Sequence, residues 1–184
     1  MATEYLKRIS FLVVDDNDFM RTIVRRILSS LGAETIHEAT DGADALKLLK
    51  VVTPDIVILD WRMTPLDGIE FTQFIRRGED SPNPFLPIIM MTGYSAFQHV
   101  MDARDAGVNE FLVKPVSAQR LFSRIQAVIE RPRNFVRTQI YFGPDRRRRN
   151  LPFKGPDRRA EIVGSDFLSG DDEAANTPHP SPPG

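Results

Sequence analysis

Apolar residues along this chain gather into five short runs, and four of them stop abruptly at a polar residue. Ile9–Val14 runs into Asp15-Asp16-Asn17-Asp18, Asp55–Leu59 into Asp60, Ile88–Met91 into Thr92-Gly93, and Asn109–Val113 into Lys114-Pro115. Glu34–Glu38 is a fifth and weaker run. Unbroken stretches of branched apolar residues predict strands covered on both faces, as in a parallel sheet. Between the runs, apolar positions recur at helical spacing. Met20, Ile23, Val24, Ile27, Leu28 and Leu31 form one stripe, with Gly32 as its stop. Asp41 caps a helix over Gly42–Lys50, with Ala45, Leu48 and Leu49 inward. Gly68–Arg77 carries Ile69, Phe71, Phe74 and Ile75; Ser95–Ala106 stops at Gly107. Ser117 caps a last helix to Glu130, with Leu121, Phe122, Ile125, Val128 and Ile129 apolar. Strand and helix thus alternate five times, at intervals of roughly 20–25 residues. That predicts an α/β domain over residues 8–130, a five-stranded parallel sheet with helices on both faces.

The pattern fades after Pro132, and the charge changes with it. Residues 1–130 hold 14 Lys+Arg and 18 Asp+Glu, a balance of -4. Residues 131–160 hold 10 against 2, or +8, and residues 161–184 hold none against 5, or -5. The expectation is a basic, mostly irregular arm over 131–160 and an acidic, Pro/Gly/Ser-rich disordered tail over 161–184. The chain has no cysteine, so thiol and disulfide chemistry are excluded. No apolar run approaches the ~20 residues that span a bilayer, and Phe11–Val14 is too short for a signal segment. A cytoplasmic protein with no membrane insertion is expected.

In open α/β sheets, sites form beyond the carboxyl ends of the strands. Here those ends carry Asp15, Asp16, Asp60, Thr92 and Lys114. Singly, each has an ordinary explanation: a helix cap, a turn residue, a surface lysine. Together they make a constellation. Crowded carboxylates raise one another's pKa unless a cation joins them, and Mg²⁺ suits one or two carboxylates plus a phosphoryl oxygen. A lysine supplies a point charge for an anion and a threonine supplies a hydroxyl. Such a group stabilises a phosphoryl transfer onto a carboxylate.

These motifs carry a resemblance. Val13-Val14-Asp15-Asp16, Ile58-Leu59-Asp60-Trp61, Leu66-Asp67-Gly68, Met91-Thr92-Gly93 and Phe111-Leu112-Val113-Lys114-Pro115, in that order, resemble the receiver domain of bacterial response regulators of the CheY type. The resemblance implies a flavodoxin-like, doubly wound (βα)5 fold. It implies that Asp60 accepts a phosphoryl group from a histidine kinase or phosphotransfer protein. Asp16, Asp60 and the backbone carbonyl of Arg62 would bind Mg²⁺, with Asp15 acting through water. Thr92 and Lys114 would hold phosphoryl oxygens, and Phe111 would be the aromatic switch residue. The Lys114–Pro115 bond would be cis. Arg62 stands where the family often has Asn, and Tyr94 is large; both would bear on the phosphoryl lifetime.

The arm repeats one unit, an aromatic, a spacer and Gly-Pro-Asp-Arg-Arg, at Tyr141–Arg147 and again at Phe153–Arg159. Arginine forks fit phosphate and the guanine edge, and aromatic rings stack on bases. The arm resembles the arginine-rich extension of the Cle group of CheY-like proteins. That implies cyclic di-GMP as ligand, with Arg137, Arg146, Arg147, Arg148 and Arg149 as its contacts and Tyr141 and Phe142 as stacking partners. It also implies a target such as the flagellar motor, and an arm that orders against the fifth helix. A solvated tail, or a loose RNA or membrane-surface contact, is the competing reading. The 54 residues after the receiver lack the apolar periodicity of a DNA-binding domain, so no DNA partner is expected and output is by protein contact. The chain is expected not to be an enzyme: a haloacid-dehalogenase-type phosphatase built on Asp16-Asn17-Asp18 would leave Asp60 idle.

Overall fold

The computed structural model describes residues 4–93, 97–146 and 161–163. The five apolar runs build one sheet. β1 (Ser10–Val14), β2 (Thr35–Ala39), β3 (Ile56–Asp60), β4 (Ile88–Thr92) and β5 (Glu110–Val113) lie in the order β2-β1-β3-β4-β5. All four pairings are parallel. The helices are α1 (Asp18–Ser30), α2 (Gly42–Leu48), α3 (Gly68–Arg77), α4 (Phe97–Ala106) and α5 (Ala118–Glu130). This is the flavodoxin-like doubly wound order.

Successive strand side chains point to opposite faces, and the core divides accordingly. Leu12, Val14, Val57 and Leu59 join Ala45 of α2, Phe71 and Ile75 of α3 and Ala103 of α4 on one face. Phe11, Val13, Ile56 and Ile58 join Val24 and Leu28 of α1 and Leu121, Ile125 and Val128 of α5 on the other. A 3-10 turn at Glu4–Arg8, which the sequence pattern did not suggest, adds Leu6 to the second cluster.

The helix ends follow local chemistry. Asp41 Oδ1 accepts from the backbone N–H groups of Ala43 and Asp44, and Ser117 accepts from Arg120 N–H. Gly32 and Gly107, the predicted stops, both have positive φ, at 102° and 104°, a conformation that costs glycine nothing. Helix α2 ends at Leu48 rather than Lys50. Asp67 and Glu70 form a reciprocal capping box on α3. The expected start of α4 at Ser95 lies outside the described residues, as does Tyr94.

The arm departs from expectation. It is not irregular between Phe135 and Pro144. β6 (Phe135–Arg137) and β7 (Phe142–Pro144) pair antiparallel, and β8 (Glu161–Val163) pairs with the other edge of β6. β8 therefore places the first residues of the expected disordered tail in a strand. Nor does the arm lie along α5 alone. The rings of Phe135 and Phe142 pack on Phe85, in the loop after α3, with centroids 5.0 and 5.3 Å away. Gly143 lies so close to Gly107 that a Cβ would sit 3.0 Å from the Gly107 Cα. The arm is thus docked on α3 and on the corner between α4 and β5. Three-residue strands are too short to show alternation, so sequence patterning had nothing to register.

Candidate functional site

Three parallel strands deliver the acids to one rim. Val14 pairs with Leu59 in register, which sets Asp15, one residue on, beside Asp60. Asp60 pairs with Met91, so Thr92 lies one residue beyond it, and Thr92 pairs with Val113, which precedes Lys114. The site falls between β1 and β3, where the strand order reverses and a crevice must open.

The carboxylates of Asp15, Asp16 and Asp60 each offer an oxygen within 4.8 Å of the others. Asp15 is fully buried, Asp60 is 7 % exposed and Asp16 is exposed. Lys114 Nζ bridges two of them, at 2.7 Å from Asp60 Oδ1 and 3.1 Å from Asp15 Oδ2. Burial pushes the Asp60 carboxyl above the usual aspartate range; the Lys114 ammonium opposes that shift and the Asp15 charge adds to it. Burial pulls the Lys114 ammonium down, but its bonds and charge attraction to Asp60 and Asp15 outweigh it and the net shift is upward. One ammonium against three acids leaves the cluster anionic. The donors are all carboxylate oxygens, one of them open to solvent, which fits a hard ion that keeps part of its water shell.

Neighbouring residues fix the acids. Asn17, not Asp16 or Asp18, caps α1 through its bond from Met20 N–H, so Asp16 is not used as a cap. Asn17 N–H donates to Asp15 Oδ1, and Arg21 donates to the Asp15 carbonyl at 2.7 Å while pairing with Asp18. Arg62 N–H donates to Asp60 Oδ2 at 3.2 Å, folding the loop after β3 back over the carboxylate. Gly68 is needed where that loop enters α3: a Cβ there would meet the Asp60 carbonyl oxygen at 2.5 Å. Thr92 is buried, its hydroxyl donating to the Gly93 carbonyl at 3.2 Å. Phe111 is half-buried against the α3 and α4 side of the core. The Lys114–Pro115 bond is cis, and so is Thr64–Pro65.

The arm residues are placed differently from expectation. Tyr141 and Phe142 are 6 % and 8 % exposed, so their rings are packed rather than offered to a ligand. Arginines of the arm itself cover them: Arg146 lies 4.1 Å from the Tyr141 ring centre and Arg137 lies 4.9 Å from that of Phe142. Tyr141 Oη donates to the Pro144 carbonyl at 2.7 Å. Arg146 also pairs with Asp105 of α4 at 3.3 Å. Arg147, Arg148 and Arg149 lie outside the described residues.

Sequence reasoning passed over the residues that seat the arm. Arg76 is 3 % exposed and donates to the carbonyls of Gly107 and Pro84 and to Asn109 Oδ1. Its guanidinium also lies 5.2 Å from the Phe135 ring centre. Burial pulls it down to about 9, so it remains charged at neutral pH. Glu110 is held by Arg124 of α5 at 3.2 Å and by Arg133 at 3.9 Å. Arg76 follows Phe71, Thr72 and Ile75 on the inward stripe of α3, a signal that was available in the sequence.

Residues 11–126 match the response regulator receiver domain model. The chain is 37% identical over 125 residues to chemotaxis protein CheY-3 of Vibrio cholerae, covering 68% of this chain and 95% of that one. It resembles the crystal structure of Vibrio cholerae CheY4 with a TM-score of 0.60 and 29% identity, over 65% of this chain and 98% of that one. The receiver domain of a Pseudomonas aeruginosa sensor histidine kinase, solved with a magnesium ion coordinated in its active-site cleft, is similar with a TM-score of 0.57 and 28% identity, over 64% of this chain and 94% of that one. With the parallel sheet, the acidic rim and the bridging lysine all in place, this chain belongs to the response regulator receiver domain family.

Proposed function

We propose that this protein is a response regulator that takes a phosphoryl group on Asp60 from a histidine kinase or phosphotransfer protein. It then signals by protein contact and is not itself an enzyme. The observation that carries this reading is the Lys114 bridge between Asp60 and Asp15 inside a cluster of three carboxylates. An Asp60 oxygen attacks phosphorus while the bond to the donor's imidazole nitrogen breaks, and the imidazole leaves. Lys114 follows the negative charge onto a phosphoryl oxygen. Asp16, Asp60 and the Arg62 carbonyl would hold Mg²⁺, with Asp15 behind water, and the ion would supply positive charge to the oxygens of the transferring group. The Thr92 hydroxyl turns from Gly93 toward the new phosphoryl group, and Phe111 follows it inward.

Likeness to chemotaxis proteins favours a cytoplasmic chemotaxis role, with a target such as the flagellar motor. Cyclic di-GMP is the proposed ligand of the arm, whose arginines and Gly-Pro-Asp-Arg-Arg repeat support it. Labelling with acetyl phosphate and Mg²⁺ tests the first reading. The wild-type chain should be labelled, Asp60→Asn should not be, and Asp16→Asn should be labelled weakly. Label that survives in Asp60→Asn and vanishes in Asp16→Asn would move the acceptor to Asp16. Calorimetry with cyclic di-GMP tests the second, since no heat of binding would leave a phosphorylation-only regulator.

A further inference from the structure

Beyond the arm's own arginine run, the receiver contributes to a cleft of about 320 Å³ between the end of α3 and the arm. Arg76 forms part of its wall, with Arg77 of the same helix and Arg137 and Thr138 of the arm. Among the described side chains no aspartate or glutamate lines it; Glu161 of β8 stands opposite Arg137 in register. Elsewhere among the described residues, Arg124, Arg133 and Arg146 all reach carboxylates. The three arginines of the cleft do not. Arg76 spends its donors on two carbonyls and an amide, Arg77 on the Ile140 carbonyl, and Arg137 lies over the Phe142 ring. Carbonyls and rings ease the solvation of a guanidinium but leave its charge in place. Three like charges in one concavity repel, and an anion there relieves the repulsion.

We propose that this cleft binds a phosphate-bearing anion, gripped by Arg77 and Arg137 with Arg76 fixed behind them. Arg77 and Arg137 are exposed, each with N–H groups beyond the contacts named, whereas the Thr138 hydroxyl is spent on Ile140 and Tyr141 within the turn. Two guanidinium forks on opposite walls suit the oxygens of a phosphodiester or a pyrophosphate. One wall belongs to the receiver and the other to the arm. An occupant therefore ties the arm to α3, and its binding energy adds to the docking of the hairpin. The site rests on the proposed ligand of the arm only for the identity of that anion.

The test is calorimetry on the full chain with cyclic di-GMP and, separately, with inorganic pyrophosphate. It is run on wild type, Arg77→Gln, Arg137→Gln and the double variant. Both side chains are exposed, so these variants should fold as the parent does, which melting curves confirm. The expected result is binding of at least one probe, weakened roughly tenfold by each single change and more by both. Pyrophosphate binding without cyclic di-GMP binding would keep the cleft and discard the dinucleotide. Cyclic di-GMP binding untouched by all three variants would overturn the cleft and leave the dinucleotide on the arginine run. Failure of both probes to bind wild type would overturn both.

Discussion

The two ends of β5 treat charge in opposite ways. At its carboxyl end Lys114 is one ammonium among three carboxylates, and the cluster is left anionic. At its amino end Glu110 is met by two arginines, while Arg76 and Asn109 satisfy each other and nearby backbone groups. Roughly 13 Å of strand separates them. Buried polar groups whose hydrogen bonds are all satisfied hold a structure in place. Charge left over at a rim can take up something that comes and goes, on the proposed reading a cation and a phosphoryl group. The cleft beside Arg77 and Arg137 resembles the rim in this respect more than the corner a few residues away.

The contrast can be broken from either end. Asp60→Asn should abolish phosphorylation outright while leaving the melting temperature near the parent's or above it, because it removes one of three repelling acids. A fall of many degrees would mean that the acid also serves the fold. Phe135→Ala should cost about 3–5 kcal/mol in urea unfolding, as expected for a buried ring, and should leave Asp60 labelling intact. An unchanged stability would mean that the hairpin is not docked in solution. Arg76→Met should cost about 2–4 kcal/mol, since it takes the donor from the buried Gly107 carbonyl and the part-buried Pro84 carbonyl and leaves Asn109 Oδ1 with Ile88 N–H alone. A smaller loss would make Arg76 a bystander. Gly143→Ala, pressed against Gly107, should cost about 1–3 kcal/mol, and its hydrogen exchange should rise at β6 and β7 before it rises in the central sheet. Asp105→Asn removes the partly exposed partner of Arg146 and should change stability by less than about 1 kcal/mol.

Much of the receiver is legible in the sequence alone. Asp15, Asp60, Thr92 and Lys114 follow apolar runs, and parallel strands bring run ends together whatever the side chains between them. The stops at Gly32 and Gly107 and the caps at Asp41 and Ser117 are local, so the chain states them locally. The hairpin was not legible. Phe135-Val136 and Tyr141-Phe142 look like isolated apolar pairs, and nothing in their own spacing shows that Phe85, some fifty residues earlier, covers them. Tyr141 and Phe142 look in the sequence like stacking partners for a ligand for the same reason, because burial is a property of partners distant in sequence.

By itself, the order of apolar runs and the residues that end them determined the sheet, its helices and the acids that meet at its rim. Periodicity and caps act over a few residues, and the parallel topology adds little freedom beyond them. Tertiary structure alone decided that Arg76 crosses from α3 to the start of β5, that Glu110 joins α5 to the arm, and that two glycines meet where the arm docks. Those contacts join segments tens of residues apart. Their energy comes from satisfying buried charges and packing rings whose partners no local pattern reveals.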